Sequence, residues 1–261
     1  MERYKDGGAF VFCDGSIMEK IKNWLWEDKK TTESTNDDAV RLSQTLSGEK
    51  FIISAQKQTK GRGRRGRKWI SLEGNLFFSQ GLCVDIKNLG QLICVSSLSL
   101  YEVMKELLPA RSTVCLKWPN DVLIDNCKVS GTLLEKGDKD YLIIGIGVNI
   151  CQKPETQDLL YPVTSLKAKG IDIDRLTFLR SYVDKFDNTY AEWQHSGFDN
   201  IRQRWLDAVK GLGKAIRIHT AAAEIEGIFE GIGENGELWL RVGKESQSIY
   251  AGDVFYVEKE K

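Results

Sequence analysis

Histidine is almost absent from the 261 residues: His195 and His219 are the only two, and neither has a partner at metal-ligand spacing. A histidine-based zinc site and a Ser-His-Asp triad are therefore disfavoured. No Cys-x-x-Cys pair occurs among the six cysteines (Cys13, Cys83, Cys94, Cys115, Cys127, Cys151), which lie mostly in apolar runs and read as reduced thiols. No apolar run approaches membrane-spanning length, and the charged start Met1-Glu2-Arg3-Tyr4-Lys5-Asp6 is no secretory signal. These absences predict a cytoplasmic protein with no membrane partner. Net charge is also missing, because 37 basic side chains balance 37 acidic ones, which argues against a generally basic nucleic-acid binder. Internal repeats and low-complexity segments are not visible.

Against that neutral background one absence is local. No Asp or Glu occurs from Lys50 to Leu72, and this window contains Lys60-Gly61-Arg62-Gly63-Arg64-Arg65-Gly66-Arg67-Lys68-Trp69, six cations and three glycines in ten residues. Arginine forks match phosphate and carboxylate oxygens two bonds at a time, and glycine lets the backbone approach an anion closely. Three readings fit the stretch: a solvated basic loop, a nucleic-acid contact, or a loop for nucleotide phosphates. No Gly-Lys-Ser or Gly-Lys-Thr ends it, so it is not a P-loop. Gly61-Arg62-Gly63-Arg64-Arg65-Gly66 spells the dinucleotide fingerprint, but no apolar helical run follows. Mutual repulsion of the cations predicts a loop that is loosely held when empty and orders on an anionic ligand.

The periodicity around this loop predicts an α+β chain. Residues 1–30 read as an N-terminal extension in which Ile17, Ile21, Trp24 and Leu25 suit a short helix or strands equally. Ser34 or Thr35 caps a helix with Asp37 and Asp38 in its first turn, and Ala39, Leu42 and Leu46 give it an apolar face. Strands are predicted at Phe51–Ala55, Leu76–Ser79, Val114–Trp118, Val122–Ile124, Lys128–Glu135 and Tyr141–Ile150, and their short turns imply a mixed, mainly antiparallel sheet. Helices are expected over 96–108, 175–194 and 198–209. Beyond Gly211-Leu212-Gly213, short alternating strands predict a small all-β barrel, with Asn235-Gly236 as a type I′ hairpin turn. The expected domains are 31–212 and 213–261.

Several motifs in register carry a resemblance. Ser34-Thr35-Asn36, Gln58, the arginine-glycine loop through Trp69, Lys117-Trp118-Pro119-Asn120-Asp121, Lys128-Val129-Ser130-Gly131 and Gly145-Ile146-Gly147-Val148-Asn149 together resemble the biotin protein ligases over residues 31 to 258. The resemblance implies a catalytic domain related to lipoate ligases and class II synthetases, followed by an SH3-like barrel. It implies that biotin and ATP, with Mg2+, give biotinyl-5′-AMP and pyrophosphate, and that biotin then passes to a lysine of a biotin carboxyl carrier protein. In that reading Ser34, Thr35, Asn36 and Gln58 lie by the ureido ring, Arg62, Gly63 and Arg64 close over the biotin tail, and Gly131 belongs to the same pocket. Arg64 and Lys128 are the catalytic cations, Lys128 holding first the biotin carboxylate and then the α-phosphate. Arg65, Arg67, Trp69, Asn120 and Asn149 contact the nucleotide, and Asp121 is a magnesium or acceptor-lysine contact. Taken singly, Trp69, Asn120 and Asn149 are equally readable as core, turn and strand-end residues. Because the family signature begins at about Ser34, the expectation is a short form without an N-terminal DNA-binding domain, monomeric or homodimeric and with no DNA partner. The competing functions are a lipoate ligase and, in another class, a nucleic-acid-binding module using the basic loop.

Overall fold

The computed structural model describes residues 10–11, 17–84, 89–155 and 161–257. Met1–Asp6 and Cys13 lie outside them. The chain divides into two compact units, Met1–Ile86 with Val129–Val183 and Lys87–Lys128 with Asp184–Lys261.

The first unit is built on a sheet with the strand order β1 (Phe10–Val11), β2 (Ile17–Ile21), β3 (Trp24–Lys29), β4 (Phe51–Ala55), β5 (Leu76–Cys83), β9 (Tyr141–Val148) and β8 (Cys127–Lys136). Only β3 and β4 run parallel; the other pairs are antiparallel. The segment that periodicity left undecided is thus the β2–β3 hairpin, turned at Lys22 with φ 54°, and it buries Met18, Ile21, Trp24 and Leu25. Helix α1 (Thr35–Ser43) packs on one face of this sheet, with Leu25, Ala39, Leu46, Phe51, Ile53, Tyr141 and Ile143 forming a core. Leu46 joins that core from beyond the end of the helix, which stops one turn earlier than its apolar spacing suggests. On the opposite face the Phe78 ring meets Tyr182, in the part of α3 (Arg175–Ser196) that belongs to this unit, edge-on at 5.1 Å.

Register explains where the core stops. On the α1 face, three rows cross strands β8, β9, β5 and β4: Glu135, Ile143, Gly81 and Phe51; then Leu133, Gly145, Ser79 and Ile53; then Gly131, Gly147, Phe77 and Ala55. Along β9 the inward series is therefore Tyr141, Ile143, Gly145, Gly147. Two large side chains that fill the core give way to two glycines, and the hollow these leave in the sheet face receives Asn36 and Trp69.

The second unit contains the hairpin β6 (Val114–Lys117) and β7 (Asp121–Ile124), helix α2 (Leu89–Leu107), the remainder of α3, and α4 (Asp199–Ala208). Helix α2 begins seven residues before its expected start. Gly90 lies in its first turn, where a Cβ would fall 1.9 Å from the Asn235 carbonyl oxygen. Trp205 of α4 is fully buried and donates to Ser97 Oγ of α2 at 3.1 Å. The tail forms a five-stranded antiparallel sheet ordered β13 (Glu245–Ile249), β12 (Leu238–Val242), β11 (Glu224–Ile232), β10 (Ala215–His219) and β14 (Asp253–Tyr256).

The type I′ turn falls at a different place from the one expected. Asn235-Gly236 is not a type I′ pair: Gly236 alone has positive φ, and its N–H donates to the Gly233 carbonyl at 3.1 Å while Asn235 N–H donates to Glu237 Oε2. The I′ geometry, positive φ at both residues, occurs instead at Asp125-Asn126 between β7 and β8. Among the described residues no helix is long and apolar enough to cross a membrane.

Candidate active site

The hollow of the first unit is lined from helix α1, the arginine-glycine loop and the sheet. Ser34 is the N-cap of α1, and its Oγ accepts from Asp37 N–H at 3.3 Å and from Arg62 Nη1 at 3.0 Å. Both lone pairs are engaged, so the Ser34 O–H proton is the part left to meet a ligand acceptor. Gln58 Oε1 accepts from Thr35 N–H at 2.8 Å and Thr35 Oγ1 at 3.1 Å, which turns the Gln58 amino group the other way, 3.5 Å from Ser71 Oγ. Ser79 Oγ lies 2.8 Å from Thr35 Oγ1 and also bonds Asn36 Oδ1, and Asn36 Nδ2 donates to Glu135 Oε2 at 2.6 Å. The Gln58 and Asn36 amides therefore have set orientations, and the single Ser79 proton serves one of its two neighbours at a time.

The glycines of β9 make room for this arrangement. A Cβ at Gly145 would lie 2.0 Å from Asn36 Oδ1, and one at Gly147 would lie 2.3 Å from the Trp69 ring. Each glycine is a socket for one side chain. The loop itself folds back on its own backbone: Trp69 N–H donates to Gly61 O at 2.9 Å, Gly63 N–H to Arg67 O at 2.7 Å, and Arg65 and Gly66 adopt φ of 55° and 71°. Arg64 and Arg65 sit in the 3-10 turn Arg64–Gly66, and Arg67 Nε donates to Arg64 O at 3.2 Å.

Arg62 departs from the picture of a loop whose cations all await a ligand. Its guanidinium donates to both oxygens of Glu135, at 3.0 and 2.7 Å, and pairs with Asp37 at 2.7 Å. Its pKa is raised above an already high value, chiefly by the Glu135 hydrogen bond and next by Asp37. The countercharge comes from residues distant in sequence, which is why a window scan for Asp and Glu misses it. Asn149 is likewise engaged: its Nδ2 donates to Thr164 O at 3.1 Å and its backbone N–H to Val129 O at 2.8 Å, so its amide braces the end of β9. Gly131 stands opposite Gly147 in the ladder.

The second unit holds the remaining residues singled out from sequence. Asn120 and Asp121 are buried where β7 begins, after a cis Trp118–Pro119 bond, and Asp121 Oδ1 accepts from Lys128 Nζ at 2.6 Å. The Asp121 carboxylate is thus ion-paired. Among the described residues no group of three or more His, Cys, Asp or Glu could hold a metal ion. Trp118 donates to the Gly236 carbonyl of the barrel at 3.1 Å. Lys117, 3% exposed, lies 5.9 and 6.0 Å from the ring centres of Phe255 and Tyr256. Burial pushes its ammonium down to about 7; Asp121 and Asp253 act in the opposite direction, and Lys128 and Lys210 reinforce the fall.

Four residues of these clusters were not singled out for chemistry in the sequence: Asp37, Ser79, Lys117 and Glu135. Glu135 has one legible signal, because period-two alternation along β8 places it on the face of Gly131.

Residues 28–149 match the Biotin/lipoate A/B protein ligase family, and residues 211–257 match the Biotin protein ligase C terminal domain. A biotin--[acetyl-CoA-carboxylase] ligase of Paracoccus denitrificans is 35% identical over 86% of this chain and 98% of its own length. The bifunctional ligase/repressor BirA of Bacillus subtilis is 32% identical over 85% of this chain and 70% of its own length. A biotin protein ligase from Aquifex aeolicus, solved in complex with biotin and ATP, superposes with a TM-score of 0.75 at 31% identity, covering 88% of this chain and 97% of that one. The hollow with its preset donors, the arginine-glycine loop and the appended barrel thus occur together in a chain that belongs to the biotin protein ligase family.

Proposed function

We propose that the protein joins biotin to ATP as biotinyl-5′-AMP with release of pyrophosphate, and then transfers biotin to a lysine of a biotin carboxyl carrier domain. The observation that carries this reading is the recess over Gly145 and Gly147, where Asn36 and Trp69 are seated and the Ser34, Thr35, Gln58 and Asn36 hydrogen-bonding groups converge. A fused urea presents one carbonyl acceptor and two N–H donors. Ser34 offers its O–H and Gln58 its amino group, while Thr35 and Asn36 supply oxygen acceptors.

Joining a carboxylate to a triphosphate brings two anions together, so positive charge must be in place beforehand. A biotin carboxylate oxygen attacks the α-phosphorus, the bond to the β-phosphate oxygen breaks, and pyrophosphate leaves with its magnesium. Arg64 and Lys128 meet the carboxylate and α-phosphate, and Arg65 and Arg67 meet the departing phosphates. Trp69, seated over Gly147, offers a face for adenine, with Asn120 and Asn149 near the nucleotide. Asp121, already beside Lys128, is the carboxylate available to MgATP or to the acceptor amine. The loop residues Arg62, Gly63 and Arg64 cover the biotin tail and keep water from the mixed anhydride. In the second step a neutral amine attacks the biotinyl carbonyl carbon and AMP departs; an acceptor lysine with an ordinary pKa of about 10.4 must first lose its proton. Residues 31–212 carry the chemistry, and residues 213–261 form the barrel domain.

Purified protein incubated with MgATP and labelled biotin, lipoate or RNA tests the assignment. Pyrophosphate release with biotin alone is expected. Release with lipoate alone would make it a lipoate ligase, and RNA retention without any release would make the loop a nucleic-acid contact.

A further inference from the structure

Glu135 lies at the far end of β8 from Lys128, and no step of the adenylation needs it. Its carboxylate nevertheless joins the two parts of the hollow that must act together. Oε1 accepts from Arg62 Nε at 3.0 Å, while Oε2 accepts from Arg62 Nη2 at 2.7 Å and from Asn36 Nδ2 at 2.6 Å. The same guanidinium reaches Ser34 Oγ and Asp37. Both partners of the ion pair are about two-thirds buried, Arg62 with 31% and Glu135 with 29% of the side chain exposed, so the pair is screened less than a surface pair would be.

We infer that Glu135 is a positioning residue that latches the arginine-glycine loop and orients the biotin-binding amide in one act. The inference rests on the biotin-ligase reading of the hollow.

The argument turns on donors and acceptors. An ionised carboxylate has only acceptors, so it can face the arginine fork and the Asn36 amino group at once. With Nδ2 held by Glu135, Asn36 Oδ1 must face Ser79, and one acceptor lone pair of that oxygen stays available to a ureido N–H. A glutamine at 135 has the same shape but one acceptor atom. Its amino group would oppose Arg62 Nε in one orientation, or both Arg62 Nη2 and Asn36 Nδ2 in the other, donor against donor. Turning the Asn36 amide to relieve that clash would remove the oxygen from Ser79. The fork is therefore broken in either orientation, and in the second the amide orientation is lost with it.

The test is steady-state pyrophosphate release by wild type, Glu135→Gln and Arg62→Lys, with limited trypsin digestion of the arginine-rich loop beside it. Arg62→Lys keeps the charge and loses the fork, so it reports on the latch even where Glu135→Gln folds poorly. Losing charge-assisted bonds at this site should raise the KM for biotin roughly ten- to a hundredfold in both variants. The KM for ATP should rise by less than that for biotin, because the nucleotide meets this loop through Arg64, Arg65, Arg67 and Trp69 and feels only its loosening. Trypsin should cut the loop several times faster in the variants, and biotin should no longer protect it. Unchanged biotin KM and cutting rate in both variants would overturn the inference. So would parallel rises in both KM values with a lowered Tm, the mark of a purely structural role. Wild-type protein that releases no pyrophosphate with biotin would instead sink the functional reading, and the cutting rates would still decide whether Glu135 holds the loop.

Discussion

At the scale of single residues, two glycines of β9 each seat one side chain of the proposed site. Gly145 is the socket for Asn36 and Gly147 the socket for the Trp69 ring, with added Cβ atoms 2.0 and 2.3 Å from those side chains. Overfilling such a site costs about 1–3 kcal/mol, and the displaced group is the one facing the ligand. Gly145→Ala should therefore weaken biotin binding and leave ATP nearly untouched, whereas Gly147→Ala should do the reverse. Calorimetric titration of each variant with biotin and with MgATP checks the crossing pattern; equal losses for both ligands in both variants would refute it.

Lys117 makes a second residue-scale prediction. Its folded pKa of about 7 lies below its ordinary 10.5. Below pH 7 the amine is protonated in folded and unfolded chains alike, and the cost of burying the charge is present in full. Between about pH 7 and 10.5 the unfolded chain binds the proton that the folded chain has shed, so stability rises with pH, by at most about 1.4 kcal/mol per unit. Lys117→Met should thus stabilise the protein most near pH 6, with the gain shrinking toward pH 10. Urea unfolding of both proteins at pH 6, 8 and 10 measures the difference; a gain independent of pH would contradict it.

At the scale of elements, helix α1 depends on the same hydroxyl that holds the loop. Ser34 caps the helix through Asp37 N–H and accepts from Arg62. Ser34→Ala should cost about 1 kcal/mol of stability from the lost cap. It should also raise the KM for biotin, because the urea carbonyl loses a donor. Thermal unfolding and biotin titration read the two effects separately. An unchanged biotin affinity would confine Ser34 to capping.

The helix was legible because cap and first-turn acids sit next to one another in sequence. The broad apolar stripe of α3 and the β-hairpins of the sheet were legible for the same local reason. What sequence concealed depends on distant partners. The start of α2 is set where Gly90 abuts Asn235 and Gly236, and β13, polar from Glu245 to Ser248, pairs at an edge without apolar alternation. In the hollow, the motif residues announced themselves by type and spacing. Glu135 did not, because its partner Arg62 lies 73 residues away.

At the scale of the whole molecule, the balance of 37 basic and 37 acidic side chains limits what the cationic loop can do with a polyanion. Its six cations can meet at most about six phosphates, and Lys60 and Arg62 must first give up Glu33, at 2.7 Å, and the Glu135 and Asp37 carboxylates. Binding to duplex DNA by this loop should therefore fall with salt along a log–log slope no steeper than about 5, from roughly 0.9 per phosphate contact. It should show no preference among sequences, and MgATP should compete with it for the same arginines. Gel-shift titrations at several salt concentrations, with and without MgATP, test all three points. Tight binding to one sequence that survives physiological salt would require base contacts that a six-cation loop cannot supply, and would place a second recognition surface elsewhere on the chain.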